Sequence, residues 1–241
     1  MLESKVRTPQ EQEAYLKELR EWLSSVRDEA PEEMADFFHN RIGIYEDRHL
    51  GRWAKEYEHI ADYFPGDPRS LLDIGCGTGL ELASVFRRFD QIEVTGIDLS
   101  GTMLGKLREK YPGRRITLIQ ADYFAYPLGE ERFGAALSFE TLHHFKPDKK
   151  QALYEKLCRA IKRGGCYLEC DYVACCDEEK RLCLEGYEYR RQKFGIPPGQ
   201  FVHIDIPLTL EHQLTLLKNA GFQKAEALYE NRGTVIIRAK K

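Results

Sequence analysis

Leu71-Leu72-Asp73-Ile74-Gly75-Cys76-Gly77-Thr78-Gly79 is a strand running into a glycine loop. The apolar run begins at Ser70 and stops at Ile74. A helical pattern, 79–89, follows the last glycine. Glycines at this junction let the chain turn tightly and let its backbone approach a ligand with no Cβ in the way. The helix start beyond offers unpaired N–H groups to a polar or negative group. The dinucleotide pattern Gly-x-Gly-x-x-Gly fails here, because Leu80 stands three residues after Gly77. Asp73, two residues before the first glycine, would repel a pyrophosphate and suits a ligand carrying a cationic amine.

Outward from this loop the pattern alternates. Strands are expected at 92–97, 115–120, 133–139 and 166–173, the last after a turn at Arg163-Gly164-Gly165. Helices are expected at 100–111, 149–161 and 209–220, and final strands at 222–229 and 233–240. Such alternation implies a parallel sheet with right-handed crossovers, and the last two strands are close enough to form a hairpin. Upstream, 8–27 reads as an amphipathic helix capped by Thr8, with Glu11 at the capping-box position. A second helical stretch, 32–62, is interrupted near Gly43 and Gly51. The turn Pro65-Gly66-Asp67-Pro68 divides an N-terminal helical cap, 1–66, from the main domain, 67–241. Segment 177–208 breaks the alternation and reads as an insertion or lid.

Composition narrows the function classes. The chain has 241 residues, 42% of them hydrophobic, and 36 basic against 39 acidic side chains, a net charge of −3. That balance leaves no broad electrostatic footprint for nucleic acid. No apolar run approaches the ~20 residues that span a bilayer, and the first residues lack a signal peptide's apolar stretch. A cytoplasmic location is expected. Seven cysteines, five of them between Cys166 and Cys183, read as free thiols. Cys166 and Cys170 in one strand would stand ~13 Å apart. A zinc ion with Zn–S bonds of ~2.3 Å cannot bridge that distance, so no metal site is expected.

Two further segments carry chemistry. Gly96-Ile97-Asp98-Leu99-Ser100 ends the second strand, and an acid there can accept both hydroxyls of a ribose. Gln120-Ala121-Asp122-Tyr123-Phe124 follows the third strand, where an acid can meet an adenine amino group and an aromatic can pack on the base.

These segments, with Leu137-Ser138-Phe139-Glu140-Thr141-Leu142-His143-His144-Phe145 and Arg163-Gly164-Gly165, resemble the class I S-adenosylmethionine-dependent methyltransferases over residues 45–240. The resemblance implies a three-layer, Rossmann-like α/β fold with a seven-stranded sheet. The sheet would be mostly parallel with one antiparallel strand, joined by N-terminal helices and an insertion after strand 5. It implies that Asp73 and the loop Gly75-Cys76-Gly77-Thr78-Gly79 hold the methionine moiety of S-adenosyl-L-methionine. Asp98 would hold the ribose, with Ser100 beside it. Leu99 and Met103 would flank the adenine, and Ala121, Asp122 and Tyr123 would meet its amino edge. Phe139 and Glu140 would sit beside the sulfonium. Residues 37–41 with Tyr45 look like a helix that covers the cofactor, as in relatives that modify the wobble uridine of transfer RNA.

The expected activity is in-line transfer of the methyl group, leaving S-adenosyl-L-homocysteine. A base is needed only if the acceptor arrives protonated; the candidates are His143, His144 and Glu140. Tyr187, Arg190 and His203 are candidates for substrate contact. The sequence lacks Asn/Asp-Pro-Pro-Tyr/Phe after the fourth strand and a Pro-Cys nucleophile, which disfavours amino-group methylation of adenine or glutamine and cytosine C5 methylation. A small-molecule acceptor is expected first and transfer RNA second, with no membrane and with a homodimer left open. The alternatives are a carboxylated form of the cofactor, a non-catalytic binder of S-adenosylmethionine and, disfavoured by the loop register, a nicotinamide oxidoreductase.

Overall fold

The computed structural model describes residues 2–241. Three helices lead the chain: α1 (Pro9–Ser25), α2 (Met34–Arg41) and α3 (Tyr45–His59), the last running into a 3₁₀ turn at Ile60–Tyr63. Then come β1 (Ser70–Ile74), α4 (Leu82–Arg88), β2 (Glu93–Asp98), α5 (Gly101–Lys110), β3 (Ile116–Gln120) and β4 (Phe133–Phe139). The second half holds α6 (Pro147–Ala160), β5 (Ile161–Tyr172), α7 (Asp177–Lys193), α8 (Leu210–Asn219), β6 (Lys224–Asn231) and β7 (Thr234–Lys240).

The strands make a seven-stranded sheet in the order β3-β2-β1-β4-β5-β7-β6. The pairs among β1 to β5 are parallel, and β7 runs antiparallel to both neighbours. The order reverses between β1 and β4, and in such sheets the carboxyl ends beside a reversal form the crevice that binds ligands. Side chains alternate across the strands. Leu72 and Ile74 pack under α6 and α8 with Leu153, Leu157 and Leu217. Leu71, Leu137 and Leu168 face the other way, in one cluster with Val85 of α4, Leu107 of α5 and Tyr57, Ile60 and Tyr63.

One expected boundary needs correction. The chain does not turn at 163–165; β5 is continuous from Ile161 to Tyr172. Its register against β4 jumps from Phe133↔Ile161 to Ala135↔Cys166, so the glycines form a bulge inside the strand. Gly164 has φ of 79°, and a Cβ on Gly165 would strike the carbonyl of Gly134.

The N-terminal helices and the 177–208 insertion pack on each other. Leu16 and Leu19 of α1 bury against Cys183 of α7. The tail of the insertion runs beside α2: Met34 N–H donates to Phe201 O at 3.0 Å, and His203 N–H to Glu32 O at 3.0 Å. The capping box starts α1 as expected. Thr8 Oγ1 accepts from Glu11 N–H at 3.2 Å, and Glu11 accepts from Thr8 N–H at 2.8 Å. Thr8→Ala is expected to cost about 1 kcal/mol, read as a lower midpoint in urea unfolding. No described helix is long and apolar enough to cross a membrane.

Candidate functional site

At the carboxyl ends of β1, β2 and β4 a narrow crevice runs beneath the N-terminal helices. Gly75, Gly77, Asp98, Leu99 and Glu140 are among the residues that form its walls. The loop is sewn to β2 by Gly75 N–H and Cys76 N–H, which donate to Ile97 O at 2.8 and 3.3 Å. Gly75 and Gly77 take φ of 65° and 47°, the left-handed region that glycine tolerates. A Cβ on Gly77 would lie 3.4 Å from the Tyr45 hydroxyl, so the covering helix stands directly over the loop. The cap is tied down at two points: Lys106 Nζ donates to Ile42 O at 2.9 Å, and Lys110 Nζ pairs with Glu46 at 2.5 Å.

Asp98 closes β2. Its Oδ2 accepts from Gly77 N–H at 2.9 Å and its Oδ1 from Ser100 N–H at 2.8 Å. Burial raises its pKa, and these two N–H groups oppose the rise. A carboxylate has about four acceptor positions, so the two bonds leave capacity for a ligand. Ser100 Oγ caps α5 by accepting from Met103 N–H. Met103, Tyr123 and Phe139 also reach the crevice.

Other expected cofactor residues lie off the wall. Asp73 is fully buried behind the loop with neither oxygen hydrogen-bonded. Burial and the neighbouring Glu81 hold its carboxyl well above the usual range, and burial pushes Glu81 up to about 7. Two neighbouring buried carboxyls each disfavour ionisation of the other. Cys76 is buried in the apolar cluster beneath α4 and α5, and Gly96 leaves room for its sulfur, 2.8 Å from where a Cβ would stand. Thr78 is buried, and Lys110 bonds its carbonyl. Gly79 serves packing: its Cβ would stand 2.9 Å from Leu107. Asp122 closes the turn after β3 by accepting from Phe124 N–H at 2.8 Å, and Ala121, whose own N–H donates to Asp98 O, does not line the crevice either. The structure adds Met34, Ala35 and Phe38 from α2, and Thr141, His144 and Phe145 from the loop after β4. Phe38 lies within the covering segment expected from sequence, His144 is one of the candidate bases, and Thr141 and Phe145 belong to the motif after the fourth strand; Met34 and Ala35 gave no signal of their own.

A larger cavity of about 470 Å³ opens beside the crevice. The two share Phe38, Tyr45, Glu140 and His144. Its walls include Trp22 of α1, Trp53 of α3 and Tyr172 of β5. His203 is here, stacked on Phe37 at 3.4 Å between ring centres. Tyr187 and Arg190 are not. Tyr187 packs with Val202, Ile204 and Ile206, and Arg190 Nε bonds Glu29 O at 3.1 Å.

The loop after β4 gathers a buried charge network. Glu140 has φ of 48°, and its Oε1 is buried with no hydrogen-bond partner. Strained backbone of this kind persists where surrounding structure holds it, often at functional sites. His143 Nδ1 meets Asp171 Oδ1 at 2.5 Å, and its Nε2 lies 3.6 Å from Asp205. His144 Nδ1 lies 3.1 Å from Asp205. Burial opposes a charged His143, but the Asp171 carboxylate outweighs it and raises the pKa to about 9. His144 moves the other way: burial and the charge on His143 lower it. Burial pushes Glu140 up to about 8. Two sets, His143-His144-Asp205 and Glu140-His143-Asp171, bring their atoms within 4.8 Å of one another, close enough for a metal ion. His143, Asp171 and Asp205 in them already pair with one another or with His144.

The crevice fits an adenosyl sulfonium compound. Asp98 has free acceptor positions for the ribose, Leu99 is a large apolar side chain left 39% exposed, and Glu140 brings an unpartnered oxygen.

Comparison with known proteins agrees. A family model described as a methyltransferase domain matches residues 71–165, which include the glycine loop, Asp98 and Glu140 to His144. A carboxy-S-adenosyl-L-methionine synthase from Nautilia profundicola is 24% identical over 70% of this chain and 76% of its own length. A trans-aconitate 2-methyltransferase from Rhodopseudomonas palustris is 32% identical over 55% of this chain and 48% of its own. Human N-acetylserotonin methyltransferase, solved in complex with S-adenosylmethionine, superimposes with a TM-score of 0.66 at 17% identity, covering 98% of this chain and 68% of that one. Residues 71–165 thus match a methyltransferase domain, and in sheet order and glycine loop the chain is similar to the class I S-adenosylmethionine-dependent methyltransferases.

Proposed function

We propose that this enzyme moves the methyl group of S-adenosylmethionine, by in-line displacement, to a small molecule seated in the larger cavity. One observation carries the reading: the crevice and the cavity meet at Glu140 and His144, at the carboxyl end of β4. The cofactor supplies an already activated methyl group on a positively charged sulfur. The chain must align the acceptor with it and keep water out. Phe38 and Tyr45 cover the junction and line both spaces. Asp98 orients the ribose, and Phe139, stacked on Tyr57 at 3.9 Å, gives the reacting end a rigid apolar floor.

The geometry redistributes the candidate bases. His143 is held as a cation by Asp171, so it orients and balances charge instead of taking a proton at neutral pH. Glu140 retains its proton in that range. His144, neutral, is the group able to accept one. The division of the chain into a cap, 1–66, and a catalytic domain, 67–241, suits this arrangement: the cap supplies the lid and one wall of the acceptor space.

A test uses the full chain with methyl-labelled S-adenosylmethionine and separate metabolite and RNA fractions. Label is expected in a low-mass product, and S-adenosylmethionine but not NAD is expected to raise the melting temperature by several degrees. Recovery of label in RNA alone would move the acceptor class to transfer RNA. A second reading has the Nautilia profundicola relative behind it: the cofactor bound here carries a carboxyl group. Native mass spectrometry of the protein as purified separates the two by the mass of the bound compound.

A further inference from the structure

The larger cavity holds positive charge that its own walls do not neutralise. Five arginines line it: Arg7, Arg41, Arg48, Arg52 and Arg232. Arg41 is taken by Glu32 at 2.6 Å and Arg232 by Glu11 at 3.1 Å. Among the described residues, Arg7, Arg48 and Arg52 pair with no carboxylate, while Arg41 and Arg232 in the same walls do. The acids of the cavity are Glu140 and Asp205, and Asp205 lies against His143 and His144 and pairs with none of these arginines.

These guanidinium groups are partly preorganised. Arg48 and Arg52 stand one turn apart on α3 and so share a face. Arg52 lies over the Trp53 ring at 4.6 Å, and Arg7 over the Tyr15 ring at 4.0 Å. Stacking of this kind fixes the plane of the fork and leaves its N–H edge for a bidentate acceptor. The helix itself is anchored by Trp53 Nε1, which donates to Thr234 Oγ1 at 2.9 Å. The remaining walls are aromatic, with Trp22, Phe37 and Tyr172 prominent.

We propose that the acceptor is an organic acid with a flat, apolar body, its carboxylate gripped by Arg48 and Arg52 with Arg7 beside them. This rests on the assignment of the cavity to the acceptor. A phosphate ester shares the anionic chemistry, but the cavity's glycine, Gly233, is a single turn residue, no lysine lines it, and the glycine loop opens onto the other space. The apolar walls favour the aryl or unsaturated acid.

The test is calorimetry on the full chain saturated with S-adenosyl-L-homocysteine. Cinnamate and phenylpyruvate are compared with neutral cinnamamide, cationic phenethylamine and phenyl phosphate. At least one carboxylate is expected to bind about tenfold or more tightly than the amide, as loss of a charge-assisted bidentate contact implies. The exposed double substitution Arg48→Gln with Arg52→Gln is expected to erase that preference and leave S-adenosyl-L-homocysteine affinity in place. Equal binding of acid and amide, tighter binding of the amine or the phosphate, no binding of either carboxylate, or a preference that survives the double substitution overturns the proposal. Failure of S-adenosyl-L-homocysteine itself to bind overturns the methyl-transfer reading instead.

Discussion

Asp98→Ala is expected to weaken S-adenosylmethionine binding by about 1–3 kcal/mol, the loss that follows removal of hydrogen bonds to a charged acceptor. The residue has two tasks. It faces the crevice, and it holds the glycine loop through Gly77 N–H and the start of α5 through Ser100 N–H. The alanine variant therefore loses ligand contacts and loosens the loop that makes the remaining ones. Asp98→Asn keeps one acceptor oxygen and should fall between the two. Calorimetric titration of all three proteins checks the order. Affinity unchanged in the alanine variant would take Asp98 out of the ribose role.

The parts of this site that the sequence made legible are those built by one continuous segment. The glycine loop, Asp98 and Glu140 each end a strand, and a strand–loop–helix pattern places such residues at the sheet's carboxyl edge without knowledge of the neighbours. Which side of that edge a residue takes is less legible. Asp122 and Cys76 sit inside the right motifs yet turn toward Phe124 and the core because loop curvature sets their direction, Asp73 faces Glu81 from within β1, and Gly79 packs against Leu107. The larger cavity was scarcely legible at all. Its walls come from α1, α3, the insertion's tail and the β6–β7 turn, and only tertiary packing brings Arg7, Arg52 and Asp205 together. A kink at Trp53, with φ of −122°, sits beside Arg52 in the helix that forms this wall, and the pattern near Gly51 signalled only an interruption. The bulge at Gly164 was read as a turn for a related reason: a left-handed glycine looks the same in a loop and in a strand until the partner strand is known.

Asp171→Ala is expected to destabilise the fold by about 3–5 kcal/mol, the range for breaking a buried charge pair from one side. Asp171 is 1% exposed and holds three donors: His143 Nδ1, Leu142 N–H at 3.0 Å and Tyr172 N–H at 2.9 Å. The pair also sets a pH dependence whose sign follows from its two members. His143 is raised from 6.5 to about 9, so its contribution is complete below pH 6.5 and is lost as pH rises toward 9. Asp171, though burial opposes it, is lowered by His143, so its contribution is present above the ordinary aspartate range and is lost as pH falls below it. Glu140, Glu81 and Glu169 are pushed upward by burial and also cost stability as pH rises, so wild type alone does not isolate the histidine. Its difference from His143→Gln does. Urea unfolding at several pH values should show that difference shrinking by up to about 3 kcal/mol between pH 6.5 and 9, as a pKa rise of that size implies. Parallel curves would mean that His143 is neutral in the fold. It would then regain the role of base, and His144 would lose its claim to be the group that takes a proton.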